Sequence, residues 1–228
     1  MEIPRTASIW HSPYNVYKHL SRLAKSVSQD EIEKLGKYKP VREARAAAVT
    51  ALVIAKMLKN PAYVQIPSSD PPDAYLMQES KRIKGDLDIT TLEITSYRAN
   101  NNESLLEQLK RTKIGTIQKY SDEYILIVEL LSKDMINYKT IREYANSIHL
   151  SFPIWTLFGK TVDGSTTAEV TVVNPKTSYF EVNVAEEAHK QHENGVLEII
   201  HMRRTGNVQN VHKEAISTYE LPPWTGMI

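Results

Sequence analysis

Two acidic residues, Asp73 and Glu93, stand out in the stretch PSSDPPDAYLMQESKRIKGDLDITTLEITSY from Pro67 to Tyr97. Asp73 lies at the mouth of a short apolar run, Ala74 to Met77, and Glu93 sits in the middle of a β-branched run, Leu87 to Tyr97. Carboxylates held close together repel unless a cation lies between them, so the two acids form a candidate site for a hard metal ion. The alternative for Glu93 is a solvent-facing side chain on a half-exposed strand.

The surrounding residues say how the pair would be positioned. Turn-forming residues, Ser68 to Pro72, precede Asp73, and a charged turn, Lys81 to Asp86, separates the two apolar runs. Such a pattern predicts two β-strands joined by a polar turn, because Pro, Gly and Asp do not continue a pleated strand. Within the second strand Ile89, Thr91, Glu93, Thr95 and Tyr97 share one face, and Leu92 and Ile94 share the other with Asp88 and Thr90. A carboxylate in mid-strand on such a face is costly without a partner.

Upstream, Val16, Leu20, Leu23 and Val27 repeat at helical spacing, and Ser28 with Glu31 reads as a capping box opening a second short helix. From Val41 to Leu58 a broad apolar face predicts a mostly buried helix, with Glu43 in its first turn, where the helix dipole favours an acid whatever its function. Tyr63 to Ile66 is expected to be a short strand. Downstream, Asn100 to Asn102 form a polar break, Ser104 or the preceding Asn caps, and Leu105 to Ile117 reads as an amphipathic helix carrying Lys110, Arg111 and Lys113. The run Glu123 to Leu131 is expected to be a central buried strand. A helix over Thr140 to Ser147 follows, then strands over Phe152 to Phe158 and Ala168 to Val173 about a turn at Asp163-Gly164, and another strand over Tyr179 to Val184.

The chain divides into an N-terminal helical extension (1–40), an α/β core (41–185) and a polar C-terminal extension (186–228). His189 and His192 are three apart, but without a Glu in the zincin pattern or a clear third ligand they read as exposed tail residues. His201, with Arg203 and Arg204, and the scattered His212 read as surface, the first cluster with the option of a phosphate or an acidic partner. Leu221-Pro222-Pro223-Trp224 reads as a stiff tail whose Trp docks on the domain or another chain.

Composition bounds the classes. The chain has 228 residues, 41% hydrophobic and 24% charged, as expected of a globular protein. A formal net charge of +1 argues against a general DNA coater and makes any basic face local. With no cysteine there is no disulfide, thiolate zinc site or cysteine nucleophile. No signal peptide is read at the N-terminus, and the apolar stretch Ala46 to Ala55 is too short to cross a bilayer. A cytoplasmic protein with no membrane association is the expectation.

The order helix, strand, strand, strand, helix, strand from Val41 to Leu131, with Pro72-Asp73 opening the second strand and Glu93-Ile94-Thr95 in the third, resembles the core of the PD-(D/E)xK nuclease superfamily. The resemblance covers somewhat under half of the chain. It implies a restriction-endonuclease-like mixed β-sheet flanked by helices. It also implies a metal-dependent endonuclease with Mg²⁺ or Mn²⁺ held by Asp73, Glu93 and the Ile94 carbonyl, and Glu43 matching the acid that some members add from the first helix. The family's lysine would stand at position 95, where this chain has Thr95. A hydroxyl places no positive charge beside the attacking water or the phosphorane, so the resemblance requires another cation, from Lys81, Lys110 or Lys113, or a weak site. Lys81, Arg111 and Lys113 are the candidates for contacting nucleic acid, DNA ahead of RNA, and a homodimer is the simplest way to cut both strands. Glu79-Ser80-Lys81 cannot serve as the motif, because it follows Asp73 too closely to leave room for a turn and a second strand.

Three other readings stand beside this one. Asp86 and Asp88, two apart, fit the acids of a nucleotidyltransferase, although PSSDPP replaces the Gly-Ser turn expected upstream. The same nuclease fold without catalysis would serve as a module that binds nucleic acid or assembles with a protein partner. A third reading is a structural subunit docking through its N-terminal helices and its tail.

Overall fold

The computed structural model describes residues 8–67, 72–81, 87–99, 103–114, 124–132, 135–162, 165–204 and 211–215. They form a mixed α/β structure built on one ten-stranded mixed sheet flanked by helices. The strands are β1 (Ser8–His11), β2 (Ala62–Gln65), β3 (Ala74–Glu79), β4 (Leu87–Tyr97), β5 (Tyr124–Leu130), β6 (Ile154–Val162), β7 (Ser165–Val172), β8 (Ser178–Asn183), β9 (Ile199–Arg204) and β10 (Val211–Ala215). Their order across the sheet is β10-β9-β1-β2-β3-β4-β5-β6-β7-β8. Pairing is antiparallel throughout except at β4–β5 and β5–β6, which are parallel.

The two parallel pairs require crossovers, which helices provide. One is α4 (Leu105–Leu109), continued by a π-helical turn over Lys110–Ile114, and the other is α5 (Tyr138–Ser147). Leu105, Leu109, Ile114 and Ile141 from these helices share a core with Tyr97, Leu126, Val128 and Ile154. On the opposite face α3 (Lys39–Leu58) packs over Leu92, Ile125, Ile127 and Leu157, with α1 (Pro13–Leu23) and α6 (Val184–Glu193) beside it. β5 is buried from both sides, as its apolar run, interrupted by Glu129 alone, predicts.

α3 is the organising helix. Val41, Ala44, Ala48, Leu52 and Ala55 line its buried stripe, and the small residues between them allow close approach to the sheet. Burial of each larger side chain, such as Leu52 or Val53, contributes about 1.5–3 kcal/mol. Pro40 lies within the first turn, where its missing N–H costs nothing. The helix therefore begins two residues before Val41, so Glu43 falls beyond the first turn, not within it, and is buried.

The capping box expected at α2 (Gln29–Lys34) forms, and Ser104, expected as a cap, makes a second one. Ser28 accepts the Glu31 N–H while Glu31 accepts the Ser28 N–H, and Ser104 and Glu107 do the same at α4. The segments read as extensions contribute to the same sheet as the core: β1 pairs with β2 and β9, and α1 packs against α3 and α6. His189 and His192 lie on α6, not on a tail, with Tyr14 stacked on His192 at 4.2 Å and edge-on to His189 at 5.2 Å. His201 lies on β9 and His212 on β10. The turn at Asp163-Gly164, the break at Asn100 to Asn102, Ser68 to Pro71, the tail from Leu221 to Trp224 and Asp86 all lie outside the described residues. Among the described residues no helix is long and apolar enough to cross a membrane.

Candidate metal and active site

The β3–β4 ladder ends at Ala74 opposite Leu92. That register extrapolates to Asp73 opposite Glu93, but Asp73 already stands outside the strand and its side chain continues the pairing. Its Oδ2 accepts the backbone N–H of Ile94 at 2.7 Å. In a β-strand the N–H and C=O of one residue face the same neighbour, so the Ile94 carbonyl is also directed to the β3 side, beyond the last paired residue of β3. The start of β3 thus leaves a notch in the sheet with Asp73 at its corner and the Ile94 peptide along its edge.

Glu43 and Lys39 come to the notch from α3. Lys39 Nζ lies 3.2 Å from Glu43 Oε1 and 3.4 Å from Asp73 Oδ1. Burial, and next the adjacent Asp73 carboxylate, push the Glu43 carboxyl up to about 7 against the opposing pull of Lys39.

Glu93 projects to the opposite face of β4, the face of Tyr97, toward the helix layer of α4. Lys113 reaches it from the π-helical turn, its ammonium donating to Glu93 Oε1. The π turn has a geometric role, since it sets Lys113 against Glu93 while Ile114 remains in the core.

The remaining sequence candidates are placed elsewhere. Lys110 lies over the Tyr144 ring, 4.1 Å from its centroid, on α5. Arg111 donates to both Glu103 oxygens at 2.9 and 2.8 Å. Lys81 is exposed just past Glu79, at the end of the hairpin remote from Asp73, and Asp88, which pairs with Gln78, is at that same end. Thr95 is half-buried on the Glu93 face of β4. The structure therefore joins Glu43 to Asp73, Asp73 to the Ile94 peptide, and Lys113 to Glu93, and leaves Lys81 apart.

Sequence reasoning passed over three residues here. Lys39 precedes the helix start as read, and Arg45 and Glu129 lie within apolar segments. Glu129 on β5 is buried and accepts from Arg45 Nε at 3.1 Å and from Arg45 Nη2, under α3. An acid inside the run ILIVELL is itself a signal that a cation must meet it.

Glu43, Asp73, Glu93 and the Ile94 carbonyl offer oxygen alone, the donor set of Mg²⁺ or Mn²⁺. Two of the oxygens, Glu43 Oε1 and Glu93 Oε2, are buried without a hydrogen-bond partner, a costly arrangement that a cation would relieve. Among the described residues no three acids or histidines are gathered closely enough to hold an ion as they stand. Lysines neutralise the acids instead, Lys39 on one side of β4 and Lys113 on the other. Comparison with known proteins gives no match, whether to a family model, to a curated protein or to a solved structure.

Proposed function

We propose that the protein is a metal-dependent phosphodiester hydrolase with a restriction-endonuclease-like core, acting as an endonuclease on nucleic acid, DNA ahead of RNA. The observation that carries the reading is the hydrogen bond from the Ile94 N–H to Asp73 at the point where β3 ends, between Glu43 on one side of β4 and Glu93 on the other. The succession α3, β2, β3, β4, α4, β5, antiparallel as far as β4 and parallel from β4 to β5, supports it as well.

Glu43, Asp73 and the Ile94 carbonyl would hold Mg²⁺ or Mn²⁺, which when bound polarises a phosphate and lowers the pKa of water, while Glu93, expected from the sequence to join them, stands on the other face of β4 with Lys113. Asp73 ties the two strands so that its own carboxylate and the Ile94 carbonyl stay at one edge. Lys113 supplies the positive charge that Thr95 does not, on the face of β4 that carries Glu93 and Thr95. A preorganised ammonium next to developing phosphate charge is worth several kcal/mol only where water is scarce. The Lys113 side chain is 20% exposed, which meets that requirement.

The test is incubation of the purified protein with duplex DNA, single-stranded DNA and RNA in Mg²⁺ or Mn²⁺, beside Asp73→Ala, Glu93→Ala and Lys113→Met. Cleavage by the wild type alone supports the hydrolase. The neutralised state of each acid favours a second reading, a nuclease-fold module without catalysis that binds nucleic acid or a protein partner. Retardation of intact nucleic acid, unchanged by the three substitutions, would establish that reading in place of the first.

A further inference from the structure

Lys39 is oddly placed for a lysine. It occupies the first turn of α3, where the helix dipole disfavours a cation, yet its ammonium is drawn over the buried pair Glu43 and Asp73. The side chains of those acids are 10% and 5% exposed, whereas that of Lys39 is 48% exposed. The acids are fixed by the core, and the lysine approaches them from solvent.

Its grip is loose. At 3.2 and 3.4 Å the contacts lie at or beyond the long end of charge-assisted hydrogen bonds, and Glu43 Oε1 is left without a properly directed one. A divalent ion would bind the same oxygens at about 2.0–2.6 Å and with twice the charge.

We propose that Lys39 is an exchangeable internal counter-ion, holding Glu43 and Asp73 in the metal-free protein and swinging into solvent when a divalent cation takes its place. This rests on the reading of the notch as a metal site and adds a mode of regulation to it. Cation affinity is then set against a competing lysine, so removal of the ammonium strengthens cation binding while weakening the metal-free fold. A lysine that merely supports the site would behave in the opposite way, and its loss would weaken both.

The experiment is thermal unfolding of wild type, Lys39→Met, Lys39→Arg and Asp73→Asn, in chelator and across a Mn²⁺ titration. Lys39→Met keeps the aliphatic stem, so the fold is retained. The expected result is a lower Tm for Lys39→Met than for wild type in chelator, with half-saturation at about two- to fivefold less Mn²⁺. Lys39→Arg should stay close to wild type, and Asp73→Asn should not respond. Half-saturation of Lys39→Met at the same or higher Mn²⁺, with wild type responding and Asp73→Asn silent, overturns the counter-ion role and leaves the metal site standing. A Mn²⁺ response in Lys39→Met with none in wild type supports the role in its strongest form. No response in any protein removes the metal site and the counter-ion together.

Discussion

The Asp73 carboxylate accepts the Ile94 backbone N–H at 2.7 Å, so the last link between β3 and β4 is made by a side chain and not by the ladder. Asp73→Ala removes that acceptor and leaves a part-buried N–H unpaired, which costs about 1–3 kcal/mol. Asp73→Asn retains an oxygen for Ile94 and should lie closer to wild type in a urea unfolding curve. Both variants are expected to lose metal-dependent cleavage, so comparison of the two separates the structural from the chemical duty of Asp73.

Glu43 makes the metal-free protein sensitive to pH. Its carboxyl is raised from an ordinary 4.5 to about 7, first by burial and then by Asp73. Between those values the folded protein keeps a proton that the unfolded chain releases. The contribution is therefore fully present below pH 4.5 and is lost as pH rises through 7. The loss is on the order of 2–3 kcal/mol. Denaturant midpoints of wild type should fall across this window in chelator, Glu43→Gln should flatten the fall, and Mn²⁺ should offset it by favouring the ionised acid.

The parts of this arrangement visible in the sequence are those set by local pattern. β4 was legible at Leu87–Tyr97 because β-branched residues and flanking turn residues agree, and the Ser28–Glu31 capping box follows from spacing alone. β1 was not, since a four-residue strand ending Trp10-His11 has no period of its own and forms through pairing with β2 and β9. The site divides in the same way. Asp73 and Glu93 stood out by type and position, but which cation would replace the family lysine depends on a π turn that rotates Lys113, and not Lys110 or Arg111, onto Glu93. The sequence places Glu43 in the first turn because it puts the helix start two residues late; with α3 beginning at Lys39 it lies further in and is buried.

Arg45 and Glu129 give a prediction about the layer beneath the site. The Glu129 side chain is 7% exposed and accepts two guanidinium N–H groups from one arginine on α3. Arg45→Met strands a carboxylate under the helix, at a cost of about 3–5 kcal/mol. Arg45→Met with Glu129→Leu removes both charges and should recover much of that loss. Urea unfolding of the two single variants and the double variant measures the coupling, and a double loss equal to the sum of the two single losses would mean that the pair holds nothing together.

Lys113 and Glu93 form the other buried pair, and here stability and chemistry are expected to move apart. The Glu93 side chain is 10% exposed and that of Lys113 is 20% exposed, so Lys113→Met leaves a shielded carboxylate with no ammonium. The metal-free protein should lose about 2–3 kcal/mol, and adding Glu93→Gln should return part of it. Mn²⁺ binding should survive in Lys113→Met, because every oxygen donor remains. Cleavage should not, because no other cation among the candidates is set against Glu93. A Lys113→Met protein that binds Mn²⁺ and still cuts at the wild-type rate would assign Lys113 to charge balance alone.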